Sequence, residues 1–285
     1  VENSIFNYEL IATNSNEDLD FAVFNISGNS AKADFSPTFY KDKLLFSSDR
    51  PDGSKRIYGP SGEAYINIYE SKIDIQGNVT DPQPFKGIPD TKFHRATPFY
   101  SQELNNIFYV LSNSDGENLQ FSDNGKNALS IGMTTGQGSF KFVLRDPDTS
   151  FYYPFYEAAT GRLFFAADFG DGYGGTDIYF VYTNDGVIMS APTNLGPRIN
   201  TPGNEIAPFI FENSLYFSSD IFYGLGGMDI YKSTIHTDNS YSIPVNLGPG
   251  INSEKDDFGF IIKNNDTNGL LGYFSSNRDG GKGGD

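Results

Sequence analysis

The sequence predicts an all-β protein, a five-bladed β-propeller of four-stranded antiparallel blades, with six blades as the alternative. The first observation behind this prediction is a unit of three short apolar runs separated by turn-forming residues. Runs of aromatic and β-branched residues with such boundaries are typical of strands. The second observation is that the unit recurs at intervals of about 50 to 60 residues, the length of a propeller blade.

The best copy of the unit spans residues 204–231, with apolar runs at 206–211, 215–217 and 229–231. The first run of every copy carries one aligned residue: Pro37, Pro98, Pro154, Pro208 and Gly259. The second run carries an aligned aromatic residue that we expect to be buried: Phe46, Phe108, Phe165, Phe217 and Phe274. Three strands leave one face uncovered, so each unit needs neighbouring copies to pack against.

The whole chain, residues 1–285, is predicted to be one propeller and the middle of a longer protein. Residues 1–30 are a lead-in whose segment 9–13 is expected to close the ring as an outer strand. The blades are expected at approximately residues 31–92, 93–149, 150–202, 203–254 and 255–285, the last one incomplete. A repeated link, Asn-Leu-Gly-Pro-x-Ile-Asn at 194–200 and 246–252, is expected to add the fourth strand.

Composition narrows the function. The net charge of −16 and the absence of a basic stripe argue against binding to nucleic acid. No run approaches the ~20 apolar residues of a membrane-spanning helix. The chain has no cysteine, which excludes thiol nucleophiles, disulfides and cysteine-ligated metals.

The loop at residues 168–177 holds several acids separated by glycines, with Asp168, Asp171 and Asp177 as candidate ligands for a hard cation such as calcium. The spacing does not match an EF-hand loop. The alternative is that these acids accept backbone hydrogen bonds and fix the turn. We therefore expect no cofactor, with a structural calcium ion as the alternative.

Partner-binding candidates lie where the repeat is broken or ends. The insertion at 51–64 and the loops at 113–125 contain Tyr58, Phe121 and, beside them, Tyr65, a mixture suited to an interface; tolerated surface insertions are the alternative. Arg50 and Arg278 end two of the second runs, and their fork suits a partner carboxylate or an acid of the adjacent blade.

Acids before the first runs, namely Asp34, Glu205 and Asp256, either line a ring opening or cap loops. The two histidines, His94 and His236, fall in different blades, and the sequence has neither a G-x-S-x-G elbow nor a P-loop. The sequence therefore predicts that the protein is not an enzyme.

The run Leu-Tyr-Phe-Ser-Ser-Asp at 215–220 with Gly-Gly-Met-Asp-Ile-Tyr at 226–231 resembles the WD40-like repeat of TolB-type propellers. The links and the ending Phe-Ser-Ser-Asn-Arg-Asp-Gly-Gly-Lys-Gly-Gly-Asp resemble the propeller segment of OmpA-family envelope proteins of the Bacteroidota, a plan to which PorE of the type IX secretion system is similar. Relatives in that family are often associated with outer-membrane proteins of PorP/SprF type.

The resemblance implies a periplasmic location at the inner face of the outer membrane. It also implies a non-enzymatic interaction scaffold that binds a PorP/SprF-type partner in type IX secretion, adhesin presentation or gliding. Peptidoglycan binding would belong to domains outside this chain. The alternative function is a small-ligand or glycan-binding propeller that uses the mouth of its channel.

Overall fold

The computed structural model describes residues 22–51, 53, 56–222, 224–265 and 269–282. Within these ranges the regular structure is entirely antiparallel β, in 21 strands that form consecutive sheets along the chain. The first sheet consists of β1 (Asp34–Tyr40), β2 (Lys43–Ser48), β5 (Asn67–Ile73) and β6 (Val79–Pro84), with a small hairpin, β3 (Ile57–Tyr58) and β4 (Glu63–Ala64), inserted. The second consists of β7 (Arg95–Ser101), β8 (Asn106–Ser112), β9 (Leu129–Thr135) and β10 (Phe140–Leu144).

The third sheet contains β11 (Phe151–Glu157), β12 (Arg162–Ala167), β13 (Asp177–Asn184), β14 (Val187–Ile188) and β15 (Thr193–Asn194). The fourth contains β16 (Glu205–Phe211), β17 (Ser214–Ser219), β18 (Asp229–Thr234) and β19 (Val245–Asn246). The last sheet has two strands, β20 (Asp257–Asn265) and β21 (Gly269–Ser276). The short strands β15 and β19 pair with β13 and β18, which confirms that the repeated link carries an outer strand.

The sheets are arranged as the blades of a propeller. The first strands contact one another in the order β1, β7, β11, β16 and β20, and β20 and β21 also contact β1. The all-β propeller is thus confirmed, but the described residues complete four blades, whereas the prediction gave five blades of four strands. The fifth position in the ring holds the two-stranded sheet, and the expected closing strand at 9–13 lies outside the described residues.

The core lies between the sheets. Among the described residues, five apolar clusters each join two sheets that are neighbours in the ring. The cluster between the third and fourth sheets includes Phe155, Phe164 and Phe217, all nearly inaccessible to solvent. The last cluster joins Leu44 and Val79 of the first sheet to Ile261 and Tyr273 of the last. Each sheet therefore buries both of its faces against its neighbours, as the repeat requires.

The predicted burial of the aligned aromatic residues is confirmed for Phe46, Phe108, Phe165 and Phe217 and is wrong for Phe274. The alignment of Phe108 also needs correction. Phe46, Phe165 and Phe217 are buried at equivalent register positions. In the second blade, Phe99 pairs with Phe108 where Thr38 pairs with Leu45, so Tyr109 occupies the aligned position and Phe108 the one before it. Phe274 is only partly buried because its sheet lacks described outer strands that would cover it.

Every first strand has a bulge at the point where it lines the channel. One residue of each first strand has a positive φ, between 44 and 68°: Ser36, Thr97, Tyr153 and Ala207, each directly before the aligned proline, and Gly259. The predicted alignment of Gly259 with the prolines is wrong by one residue, because the register places Phe260 there. The register of the strand pair shifts at the same point in all five sheets. In two of them the freed N–H of this residue donates to a serine Oγ of the neighbouring sheet, from Ser36 to Ser275 (2.9 Å) and from Thr97 to Ser47 (2.7 Å). The bulge therefore links adjacent blades around the channel.

Candidate functional site

The predicted cation loop does not gather its acids. Asp177 is buried, and its Oδ2 accepts hydrogen bonds from the Tyr173 N–H (2.6 Å) and the Asn194 amide (2.9 Å). Asp168 forms an ion pair with Lys126 and accepts the Ser150 N–H at 2.8 Å, while Asp171 is exposed. Within the ranges that the structure describes, no three His, Cys, Asp or Glu residues are grouped so that they could hold a metal ion. The observed contacts of Asp168 and Asp177 agree with the turn-fixing alternative.

The two arginines proposed for partner binding are occupied within their own blades. Arg50 pairs with the buried Asp34 at 2.5 Å and lies over the rings of Phe46 and Tyr69. Arg278 pairs with the buried Asp257 at 2.5 Å and lies over the ring of Phe274. Both guanidinium groups therefore serve carboxylates of the fold.

The acids that begin the first strands are also internal. Asp34, Glu205 and Asp257 occupy the same register position, so the aligned acid of the last blade is Asp257, whereas the sequence alignment gave Asp256. Glu205 accepts hydrogen bonds from the Thr201 and Ser219 hydroxyls at 2.6 and 2.7 Å, and burial raises the pKa of its carboxyl. These residues hold strand ends together and do not line an opening.

The aromatic residues of the blade-one insertion form a cluster on the surface. The ring centroids of Tyr58 and Tyr65 lie 4.5 and 4.7 Å from that of His94, and 5.5 Å from each other. The Nδ1 atom of His94 accepts the Ile66 N–H at 3.1 Å, and burial lowers the pKa of its imidazole. Phe121 belongs to a separate loop and is 60% exposed. The structure thus brings Tyr58 and Tyr65 together, and leaves Phe121 apart from them.

The central channel is a narrow apolar constriction. The first strands enclose a volume of only about 40 Å³ there, and its lining, which includes Pro37, Phe99 and Phe209, contains no charged side chain among the described residues. Desolvation raises the pKa of the Tyr153 phenol in this lining to about 12. A site of this size cannot hold a sugar ring, so the channel does not fit the predicted use of its mouth as a glycan pocket.

A larger groove lies between the third and fourth sheets, with a volume of about 790 Å³. Its floor is the outer margin of the core between those sheets, where Phe180, Leu195, Phe222 and Tyr241 pack. One wall comes from β13 and the link at 194–198, and the other from the turn that carries Asn239 and Ser240. We call this site the inter-blade groove.

Aromatic side chains dominate the inter-blade groove. The rings of Phe180 and Tyr182 meet at 5.3 Å in an edge-to-face arrangement, and Phe164 lies 5.6 Å below Phe180. Tyr182 is 49% exposed, while Tyr241 is partly buried and burial raises the pKa of its phenol. Because these residues combine apolar rings with hydroxyl groups, the groove offers stacking faces beside hydrogen-bonding groups.

The charge of the inter-blade groove is set by two arginines. Arg162 donates from Nε and Nη2 to Glu157 at 3.0 and 2.7 Å, and its guanidinium lies over Phe164 and Phe180 at 5.1 and 5.3 Å. Arg198 is exposed and makes no hydrogen bond or ion pair with another described residue. Glu157 neutralises Arg162, so Arg198 supplies the uncompensated positive charge.

Several further polar groups in the groove have no partner within the described part of the protein: the hydroxyls of Tyr182 and Tyr241 and the side-chain amide of Asn239. By contrast, the Asn194 amide is used in the fold, since it donates to Asp177 and accepts from Gly196 and Asn200. The groove thus presents free donors and acceptors on a fixed backbone.

The groove was not predicted from the sequence, because its residues differ one at a time between the third and fourth blades, which otherwise align well. Phe180, Tyr182 and Arg198 correspond to Lys232, Thr234 and Gly250 in the fourth blade, and Arg162 corresponds to Ser214. The binding surfaces predicted from the sequence lie in insertions, where the repeat is visibly broken. A comparison of the two best copies, position by position, would have exposed the four groove residues.

Comparisons with known proteins give a fold and no family. No family model matches the chain, and no curated protein matches it either. Among solved structures, a thermostable family-43 glycoside hydrolase is similar with a TM-score of 0.54 and 11% identity, over 89% of this chain and 87% of that one. An arabinanase of Bacillus subtilis (TM-score 0.47, 14% identity, 87% and 96% coverage) and a β-1,3-galactosidase of family 43 (0.48, 11%, 90% and 88%) are also similar.

The first of these structures overturns two predictions. The chain was expected to be a non-enzymatic periplasmic scaffold for an outer-membrane partner, and the expectation that it is not an enzyme went with it. The family-43 glycoside hydrolase, which matches this chain over 89% of its length, is an enzyme, and that finding stands against both predictions. At 11% identity the likeness carries the propeller fold alone, so activity and substrate are matters for proposal. No helix among the described residues is long and apolar enough to cross a membrane.

Proposed function

We propose that this propeller binds a glycan, and that the inter-blade groove is where the sugar lies. The observation that carries the proposal is the convergence of Phe180, Tyr182 and Tyr241 with unpartnered hydroxyl, amide and guanidinium groups on one concave surface. Sugar rings have apolar faces bordered by hydroxyl groups, so they need aromatic faces and polar partners together. The groove's volume of about 790 Å³ lies within the range of ligand sites, roughly 300–1,000 Å³.

Glycoside hydrolysis is the second candidate, favoured by the fold shared with the family-43 glycoside hydrolase. Hydrolysis of this kind uses two carboxyl groups that lie about 5–9.5 Å apart across the scissile bond. The carboxyl next to the groove is Glu157, which Arg162 and Thr160 hold by hydrogen bonds. The described residues that line the groove do not include a second one, so the geometry supports binding more directly than cleavage.

The test is a titration of the purified chain with arabinan, xylan and galactan oligosaccharides and oligogalacturonate, followed by isothermal calorimetry. Tyr182→Ala should weaken binding about tenfold, or about 1.4 kcal/mol, because it removes an exposed ring from the groove. Tyr173→Ala is the matched control, since Tyr173 is 48% exposed in a loop away from the groove. Chromatography of the same mixtures detects released sugars and so tests hydrolysis. Absence of binding to every oligosaccharide, or equal binding by Tyr182→Ala, would overturn the proposal.

We further propose that the ring has five blades, with the two-stranded sheet as the inner half of the fifth. Contact of β20 and β21 with both the first and the fourth sheets supports this count. The resemblance to Bacteroidota envelope propellers, the periplasmic location and the PorP/SprF-type partner stay predictions that rest on the repeat and link sequences. A structure of the chain with its flanking residues would test the blade count, and cell fractionation would test the location.

A further inference from the structure

We infer that the inter-blade groove selects acidic sugars, specifically glycans that contain uronic acid, through the guanidinium of Arg198. This inference rests on the proposed function, because it names the class of glycan for the same groove. It depends on Arg198, whose guanidinium has no hydrogen bond or ion pair with any residue that the structure describes.

The position of Arg198 is the first argument. The link at 194–200 and its copy at 246–252 share Asn, Leu, Gly, Pro, Ile and Asn, and differ at one internal residue, Arg198 in place of Gly250. The shared residues have structural tasks. Asn200 and Asn252 bind the backbone of Ile178 and Ile230 through equivalent hydrogen bonds of 2.8 and 2.9 Å. Arg198 is therefore the residue of this link that is free to act on a ligand.

The electrostatics of the groove are the second argument. The protein carries a net charge of −16, so an anionic ligand is repelled from most of its surface. The described residues that line the groove include two arginines and no acid. Glu157, beside the groove, accepts hydrogen bonds from Nε and Nη2 of Arg162. The Nη1 group of Arg162 forms no hydrogen bond with a described residue. The groove is thus a positively charged site on a protein whose net charge is negative.

The chemistry of the guanidinium is the third argument. A planar fork of N–H donors matches the two oxygens of a carboxylate, and such charge-assisted bonds are among the stronger ones in proteins. A uronic acid presents its carboxylate at the edge of the same ring whose face stacks on an aromatic side chain. Arg198 lies in the wall formed by the link, and Phe180 and Tyr182 come from the neighbouring strand β13. One sugar unit can therefore use both features.

The experiment compares two forms of one ligand, oligogalacturonate and its fully methyl-esterified form, which keeps the sugar backbone and removes the charge. Calorimetric titration should show that the acid form binds about tenfold tighter or more, since a hydrogen bond between two charged groups is stronger than one between neutral groups. The difference should shrink when salt is raised, because the carboxylate contact is partly exposed. Arg198→Gly, which installs the residue of the fourth blade, should abolish the difference in affinity between the acid and the ester.

Lys255→Gln is the control, since it removes one exposed positive charge on a loop outside the groove and should preserve the difference. Thermal denaturation of each variant establishes that it is folded. Equal affinity for the two forms, or a difference that persists in Arg198→Gly, overturns the inference while glycan binding stands. Failure of both forms and of the neutral oligosaccharides to bind overturns the proposed function itself. Equally tight binding of a sulfated galactan oligosaccharide overturns the restriction to carboxylates.

Discussion

The third blade, which supplies the aromatic wall of the groove, differs from the fourth by single side chains and not by inserted segments. The buried residues that build the two blades match. Strand β13 begins with buried Asp177, Ile178 and Tyr179, as β18 begins with the same three residue types, and the two strands differ in their second halves. Phe180 and Tyr182 could be placed on a strand from the sequence, but their meeting with Tyr241 depends on how two blades pack. Periodicity within one repeat does not encode that contact.

Residue positions were predictable wherever the strand pairing is regular. The alignment of Phe46, Phe165 and Phe217 was correct, whereas those of Phe108 and Asp256 were displaced by one residue. In a strand, a shift of one residue moves a side chain to the other face. The second and last blades contain the least regular copies of the repeat, so apolar pattern alone could not fix their register.

The first residue-level prediction concerns the core. Phe217→Ala should lower the free energy of unfolding by about 3–5 kcal/mol, because Phe217 is 1% exposed and its removal leaves a cavity. Phe274→Ala is the matched control and should cost less, since Phe274 is only partly buried. Urea denaturation of both variants measures the difference. Equal losses of unfolding free energy in the two variants would contradict the larger stabilisation expected from Phe217.

The second residue-level prediction concerns pH. Burial raises the pKa of the Glu205 carboxyl above its ordinary value of 4.5, which means that the folded protein favours the protonated form. The stability that this gives is present below the unfolded pKa and is lost as the pH rises through the folded pKa.

Glu205→Gln keeps a neutral side chain in that place, so its unfolding free energy should fall less steeply than that of the wild type as the pH is raised from about 4.5. Urea denaturation across a pH series measures the slope. Glu254→Gln, at an exposed position, should keep the wild-type slope. A wild-type slope in Glu205→Gln as well would show that this carboxyl does not titrate with folding.

The strands, as whole elements, were predicted from the sequence more reliably than the register of single residues. The three-run unit became strands in each blade, and the repeated link became β15 and β19 as expected. What the sequence did not reveal is the bulge in each first strand, because a positive φ before proline leaves no apolar signature. The link matters for function too, since it positions Arg198 while its asparagine is anchored under β13.

The prediction at this level concerns that anchor. Asn200→Ala should cost about 1–3 kcal/mol of stability, because it leaves the buried N–H of Ile178 without its acceptor. It should also weaken glycan binding, since the link that carries Arg198 is released. Thermal denaturation and calorimetry measure the two effects. Asn184→Ala, at the exposed end of β13, should change neither, and an Asn200→Ala variant with wild-type stability would refute the anchor.

At the scale of the molecule, the two ends of the described chain meet where the ring closes. The Asn25 amide donates to the Gly280 carbonyl at 3.0 Å, and the Tyr273 hydroxyl donates to the Gly77 carbonyl at 2.8 Å. Lys282 donates to the carbonyls of Ser27 and Asn29 at 3.4 and 3.3 Å. These contacts join the first and last sheets where the ring closes. A linear repeat pattern predicts that a ring forms, but not where a groove opens between its blades.

The measurement that tests the account most directly is hydrogen–deuterium exchange of the chain with and without the oligosaccharide that binds best. If the glycan binds in the inter-blade groove, ligand-dependent protection falls on the two segments that form its walls, residues 178–198 and 236–244. The first strands around the channel should be unchanged. Protection confined to the channel strands or to the insertion at 51–64, with the groove unaffected, would contradict the central claim that the glycan binds between the third and fourth blades.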